Sequence, residues 1–234
     1  EQSHQWHKTV MKKSFENLGI TLVELLALGS LSEKDIKEYV HYDNIELIQK
    51  AYERGRGVIL LSGHYGNWEF LAYSVFVYLR IPVLIIVKPL SNYILDRIIN
   101  RYRTRLGNSV VSMYDAAFKV VKNLREGGVV ALLADQSATK DKDVFVDFFG
   151  LPSATFESPA FLALKYKVPI IIGFAERRGS AYFVHLEEVQ FDDLEFSKDG
   201  VAELTQRHAK KLEEAIRRCP ELWVWQHRRW KHTH

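Results

Sequence analysis

Short apolar runs of strand length alternate with longer segments of helical periodicity along most of this chain. That alternation limits the possible folds more than any other feature. Residues 58–61, 83–87, 129–134 and 168–175 are continuous apolar stretches, the pattern of strands buried on both faces. Between and after them, residues 68–78, 91–106, 116–125, 156–166 and 201–218 repeat at helical spacing, the last stopped by Pro220. Residues 144–148 alternate polar and apolar, and residues 182–186 are placed to pair with 168–175 across Arg178-Gly179-Ser180. The pattern predicts an α/β fold, a mixed β-sheet flanked by helices. Upstream, Phe15, Leu18, Leu22, Leu25 and Leu26 mark a helix over residues 5–28. Ser32 with Glu33 and Asp35 opens a second, and residues 44–54 form a third that ends at Gly55 and Gly57. Residues 1–54 are thus read as a helical N-terminal segment and 55–234 as the α/β core, within one structural domain.

Composition narrows the function classes. With 47% hydrophobic and 12% aromatic residues the chain buries a sizeable core, which excludes disorder and low-complexity readings. A single cysteine, Cys219, excludes a disulfide framework and an all-cysteine metal site. The net charge of +3 is too small to announce a nucleic-acid binder. It is unevenly spread, because eight cations face three glutamates between Arg207 and Lys231. An anionic partner, a membrane surface or a solvated helix face each accounts for that excess. No stretch approaches the ~20 apolar residues that span a bilayer, and there is no signal peptide. The chain starts at Glu1 rather than methionine, from which removal of an upstream segment is expected.

Chemistry concentrates where the first apolar strand ends, in Ser62-Gly-His64-Tyr-Gly-Asn67-Trp68-Glu69. In an open α/β sheet, ligands bind beyond the carboxyl ends of strands, and His64 falls there in a glycine-flanked turn. Glu69 lies at the start of the next helix, from where its carboxylate can reach back to the imidazole. A carboxylate on one ring nitrogen fixes the tautomer and leaves the other as a general base, so no serine or cysteine nucleophile is needed. A hydrogen-bonded structural histidine is the competing reading. A metal site is not expected, because His4, His7, His41, His185 and His227 supply no convincing third ligand.

This box resembles the His-x4-Glu motif of the bacterial lipid A late acyltransferases, within the wider glycerophosphate and lysophospholipid acyltransferase superfamily. Four further blocks match in order. Lys88-Pro89 with the arginines of residues 100–107 resembles the second block, and Leu133-Ala134-Asp135-Gln136 a strand ending in Asp-Gln. Val146-Asp147-Phe148-Phe149-Gly150 through Thr155, followed by Ser158-Pro159-Ala160, resembles the Phe-Phe-Gly…Thr block, and Trp225-Gln226-His227-Arg228-Arg229-Trp230-Lys231 the C-terminal signature.

The resemblance implies O-acyl transfer from an acyl carrier protein or coenzyme A thioester to a hydroxyl of an anionic glycolipid, a lipid A precursor. The reaction would run at the cytoplasmic face of the inner membrane without a cofactor, with residues 5–28 as a juxtamembrane helix after the N-terminal apolar anchor usual in the family, or with the chain as a peripheral member lacking one. His64 would take the hydroxyl proton and Glu69 would orient it. Arg105, ahead of Arg103, would stabilise the oxyanion or grip a phosphate, joined in substrate binding by Lys88, Asn67, Asp135 and Gln136. Asp135 suits a site residue and a loop cap equally. Trp68, Phe148 and Phe149 would line an acyl channel or pack the core. Arg228, Arg229 and Lys231, beside Trp223, Trp225 and Trp230, fit a lipid headgroup interface or a packed C-terminal staple. Another glycolipid or lysophospholipid acceptor, or a lipid-binding module without turnover, are the alternatives.

Overall fold

The computed structural model describes residues 2–137 and 144–232. Its elements are α1 (His4–Ala27), α2 (Glu33–Tyr39), β1 (Val40–Tyr42), α3 (Glu46–Glu53), β2 (Val58–Ser62), α4 (Trp68–Leu79), β3 (Val83–Val87), α5 (Tyr93–Thr104) and β4 (Ser109–Ser112). They continue with α6 (Ala116–Arg125), β5 (Val129–Leu133), β6 (Val144–Phe148), β7 (Leu151–Thr155), α7 (Ser158–Tyr166), β8 (Ile170–Arg178), β9 (Ala181–Val189), α8 (Lys198–Arg218) and a 3-10 turn, Pro220–Leu222. Seven strands form one mixed sheet in the order β1-β9-β8-β2-β5-β3-β4. Strands β8, β2, β5, β3 and β4 run parallel, while β9 returns antiparallel to β8 and carries β1 beside it. The expected mixed sheet between helices is therefore present.

Side-chain alternation divides the core. Val58, Val129 and Ile171 point to the face covered by α2, α3, α4 and α5, whereas Ile59, Val130, Ile170 and Ile172 meet α6, α7 and α8. Both faces are sealed, which explains why these strands read as unbroken apolar runs.

Three strands lack such a run. β1 and β4 are short edges, and β7 owes its existence to its partner: it pairs antiparallel with β6 from Val144↔Thr155 to Phe148↔Leu151. Phe149 and Gly150 form the connection, with φ of 58° and 77°, as a two-residue hairpin turn demands. β8 extends past its apolar centre into Glu176, Arg177 and Arg178, where main-chain pairing with β9 continues through charged residues. α8 starts three residues before the predicted point, because Ser197 caps it by accepting a hydrogen bond from the Gly200 amide at 3.0 Å.

α1 is held to this core by polar groups. The Ser14 hydroxyl donates to the Trp223 carbonyl at 2.8 Å, the Asn17 amide to the Leu222 carbonyl at 3.2 Å and the Thr21 hydroxyl to the Gly66 carbonyl at 2.9 Å. All three side chains are buried. Among the described residues no helix is long and apolar enough to cross a membrane.

The turn after β2 tolerates no side chain at Gly66. Its φ is +57°, and a Cβ there would lie 1.7 Å from the Ala175 carbonyl oxygen. We predict that Gly66→Ala destabilises the protein by about 3 kcal/mol or more. Thermal unfolding checks this, with Gly55→Ala, at an equally positive φ but facing open space, as the milder control.

Candidate active site

Strand register builds the site. Ser62 at the end of β2 pairs with Leu133 at the end of β5. Two residues further along each parallel strand, His64 and Asp135 therefore stand side by side. The Asp135 carboxylate accepts the His64 backbone N–H at 2.9 Å through Oδ2, and its Oδ1 lies 2.7 Å from His64 Nδ1. Trp223 Nε1–H donates to Oδ2 at 2.9 Å. Asp135 is buried, and these three contacts orient it. The other ring nitrogen, Nε2, faces the Gln136 side-chain amide at 3.5 Å, and the Trp68 ring stands edge-on at 4.9 Å.

The electrostatics follow. Burial alone would depress the His64 pKa, but the charge and hydrogen bond of Asp135, with Glu69 adding, raise it above the ordinary histidine value. Burial likewise pushes Asp135 up, but its contacts with His64 and Trp223 outweigh this and hold it below the usual carboxylate range. Asp135 is thus ionised, and its partner imidazole is more basic than a free one.

Glu69 does not fill the orienting place that the sequence suggested. Arg103 grips it with two hydrogen bonds, Nε to Oε2 at 2.9 Å and Nη2 to Oε1 at 2.5 Å. Arg103 also donates to Asn100 Oδ1 at 2.9 Å. Asn100 donates to Asp96, which accepts the Leu90 backbone N–H. This pair, with Glu69 buried and Arg103 partly so, therefore joins α4 to α5 and to the loop after β3. Spacing along a helix start shows that Glu69 can point toward the site. It cannot show that a guanidinium from α5 arrives first with a better-matched fork.

Other expected residues are also redistributed. Arg105 is directed away, donating to the Tyr73 hydroxyl at 2.9 and 3.1 Å and to the Leu31 carbonyl; of the two arginines, Arg103 is the one near the site. Asn67 is fully buried as the cap of α4. Its oxygen accepts from the Phe70 amide at 3.0 Å and its nitrogen donates to Glu24 at 2.8 Å, so both polar atoms are taken by the fold. Lys88 stands exposed just beyond β3.

Phe148 is buried among Phe149, Trp223 and Trp230. Phe149 sits half-buried under Arg217. Of the three C-terminal cations, Arg228 and Lys231 are exposed. Arg229 is 1% exposed, stacked over Phe148 and donating to the Ala154 carbonyl at 2.5 Å and to the Thr155 hydroxyl. It therefore belongs to the packed staple rather than to a headgroup interface.

Three supporting roles leave no mark in local sequence. Trp223 anchors Asp135. His227 accepts the Ser137 backbone N–H at 3.0 Å and fastens the segment after Asp135. His208 lies beside Arg229 around a small cavity behind Asp135, and burial pushes its pKa down to about 3, which keeps it neutral. A Trp-x-Trp-x-His run on its own does not say which strand end it will cover.

Comparison with known proteins decides the family. A family model described as bacterial lipid A biosynthesis acyltransferase matches residues 1–232. The chain belongs to this acyltransferase family. It is 23% identical over 235 aligned positions to a lipid A biosynthesis lauroyltransferase of Escherichia coli, covering 99% of this chain and 74% of that protein. A lipid A biosynthesis acyltransferase of Haemophilus influenzae is 23% identical over 95% of this chain and 69% of its own length. A phosphatidylinositol mannoside acyltransferase of Mycolicibacterium smegmatis is 24% identical over 86% of this chain and 65% of its own length. In this acyltransferase the His-x4-Glu box thus supplies the imidazole, while the acid in contact with it comes from the end of β5.

Removing Arg103 would leave Glu69 as a buried charge without its main partner. We expect Arg103→Met to cost about 3–5 kcal/mol in chemical denaturation. The double variant Arg103→Met/Glu69→Met should regain most of that loss; equal losses in both would show that the pair is not the cause.

Proposed function

We propose that this acyltransferase moves a fatty acyl chain from a thioester onto a hydroxyl of a lipid A precursor, with His64 as general base and Asp135 as its orienting carboxylate. The donor would be an acyl carrier protein or coenzyme A thioester, and the acceptor an anionic glycolipid at the cytoplasmic face of the inner membrane. The observation that carries this reading is the His64 Nδ1 contact with Asp135, 2.7 Å long, in a chain matched across its length by the lipid A acyltransferase family.

With Nδ1–H held by the carboxylate, Nε2 carries the lone pair that takes the acceptor's hydroxyl proton. The oxygen attacks the thioester carbonyl carbon, and the tetrahedral oxyanion gathers charge near the Gln136 amide, the donor that faces Nε2. Collapse breaks the C–S bond and expels the thiolate, which takes the proton back from the imidazolium and leaves as a thiol. Asp135 stays ionised throughout and stabilises the imidazolium. The Glu69–Arg103 pair fixes α5 against α4, and the Glu69 carboxylate adds to the charge that favours the imidazolium. The similarity to a phosphatidylinositol mannoside acyltransferase supports a second acceptor class for the same chemistry, which a panel of glycolipid acceptors separates.

Acyl transfer to a tetraacylated lipid A precursor should fall about 10²–10⁴-fold in His64→Ala. Because Asp135 raises the His64 pKa, the wild-type rate should be lost on acidification through a pKa above the ordinary histidine value. Asp135→Asn removes the raising charge, so the acidic limb should move to lower pH while the plateau rate drops. A plateau and limb both unchanged in Asp135→Asn would remove Asp135 from the mechanism.

A further inference from the structure

We propose that the rim of the sheet at the carboxyl ends of its parallel strands is a docking face for an anionic phospholipid bilayer. Three segments frame it: the outer face of α1, the start of α5 and the turn from β4 into α6. The choice of a bilayer over a protein partner rests on the reading that the acceptor is a lipid.

The first observation is that α1 buries three polar side chains and only one apolar side chain, Leu25, while most of its large apolar side chains face outward. A helix on a water-soluble surface turns its apolar stripe to the core. Here the inward stripe contains Ser14, Asn17 and Thr21, each donating to a main-chain carbonyl. The outward stripe contains Phe15, Leu22, Val23 and Leu26, of which Leu22 is 52% and Val23 67% exposed. Rolling the helix to hide the apolar stripe would break all three hydrogen bonds, so its orientation is fixed.

The second observation is where the rest of the exposed apolar surface lies. Among the described residues, fifteen of the twenty-one exposed large hydrophobic side chains belong to α1, residues 90–98 and residues 113–118. β3 and β4 run parallel to β2 through β5, so residues 90–98 and 113–118 follow their strands at the same end as His64 follows β2. Thr21 bonds to the Gly66 carbonyl and brings α1 to that end as well. Ile94 is 70% and Phe118 78% exposed there. Apolar surface gathered from three separate segments around one end is not the scatter expected of single exposed hydrophobics.

Charge supplies the third argument. Lys88, just beyond β3, and Arg97, beside Tyr93 in the first half of α5, stand exposed there, suited to anionic headgroups, as Trp6 and Tyr93 are to the interfacial layer. An interfacial face of this kind presents His64 toward the depth at which the polar part of a lipid acceptor sits.

Flotation of the purified chain with vesicles of phosphatidylethanolamine and phosphatidylglycerol tests this. Wild type should float with them, less so at high salt, and His64→Ala should float equally well. Leu22→Ser/Val23→Ser/Leu26→Ser and, separately, Ile94→Ser/Phe118→Ser should each weaken partitioning about tenfold or more with unchanged melting temperature. Wild-type flotation by both variants would overturn the proposal. So would light scattering showing a dimer that the α1 variant dissociates, since the face would then belong to a second copy. Vesicle binding without acyl transfer would leave this face standing and remove the catalytic reading. Transfer in detergent micelles without vesicle binding would do the reverse.

Discussion

The buried carboxylate of Asp135 is the interaction on which the rest of the site depends. It accepts a main-chain N–H and approaches the ring nitrogen of the same histidine while taking an indole N–H from Trp223. In doing so it ties together the turn after β2, the end of β5 and the C-terminal segment. A buried charge without such partners would be neutralised or expelled. Here each donor that offsets the desolvation also positions a group of the site. The turn it holds is further clamped by the Leu222 carbonyl on the Gly66 amide and the His64 carbonyl on the Val224 amide.

Two carboxylates near one imidazole have divided the work. Asp135 makes contact, and Glu69, committed to Arg103, acts at longer range through its charge and through the placement of α5. The division follows from geometry. Parallel strands in register deliver Asp135 at the height of His64, whereas Glu69 starts a helix whose facing neighbour offers a planar two-pronged donor. The same α5 then carries Asn100 and Asp96 onward to the loop after β3.

Much of this architecture was legible in the sequence, for identifiable reasons. Strands sealed on both faces leave continuous apolar runs, so β2, β3, β5 and β8 could be read directly, and with them the strand end that holds His64. Edge strands such as β1 and β4, and the hairpin arm Leu151–Thr155, carry no such run, because pairing rather than burial makes them strands. Asp135 was recognisable as a residue at a strand end. Its pairing with His64 depends on β2 lying next to β5, and adjacency across the sheet leaves no mark in local spacing. The same limit explains Arg229. A cation between exposed neighbours and tryptophans reads as surface until the hairpin's carbonyl and the Thr155 hydroxyl are seen to enclose it.

The contacts between α1 and the C-terminal segment also bear on how the molecule is assembled. Ser14 and Asn17 reach carbonyls 209 and 205 residues away, among the longest loops this chain can close. While residues 222 and 223 are still unmade, the inward side of the first helix lacks those acceptors, and Asp135 lacks its indole. Synthesis and completion of the site are therefore separated in time. Whatever sheet forms earlier, the histidine gains its full support only when the two ends of the chain meet.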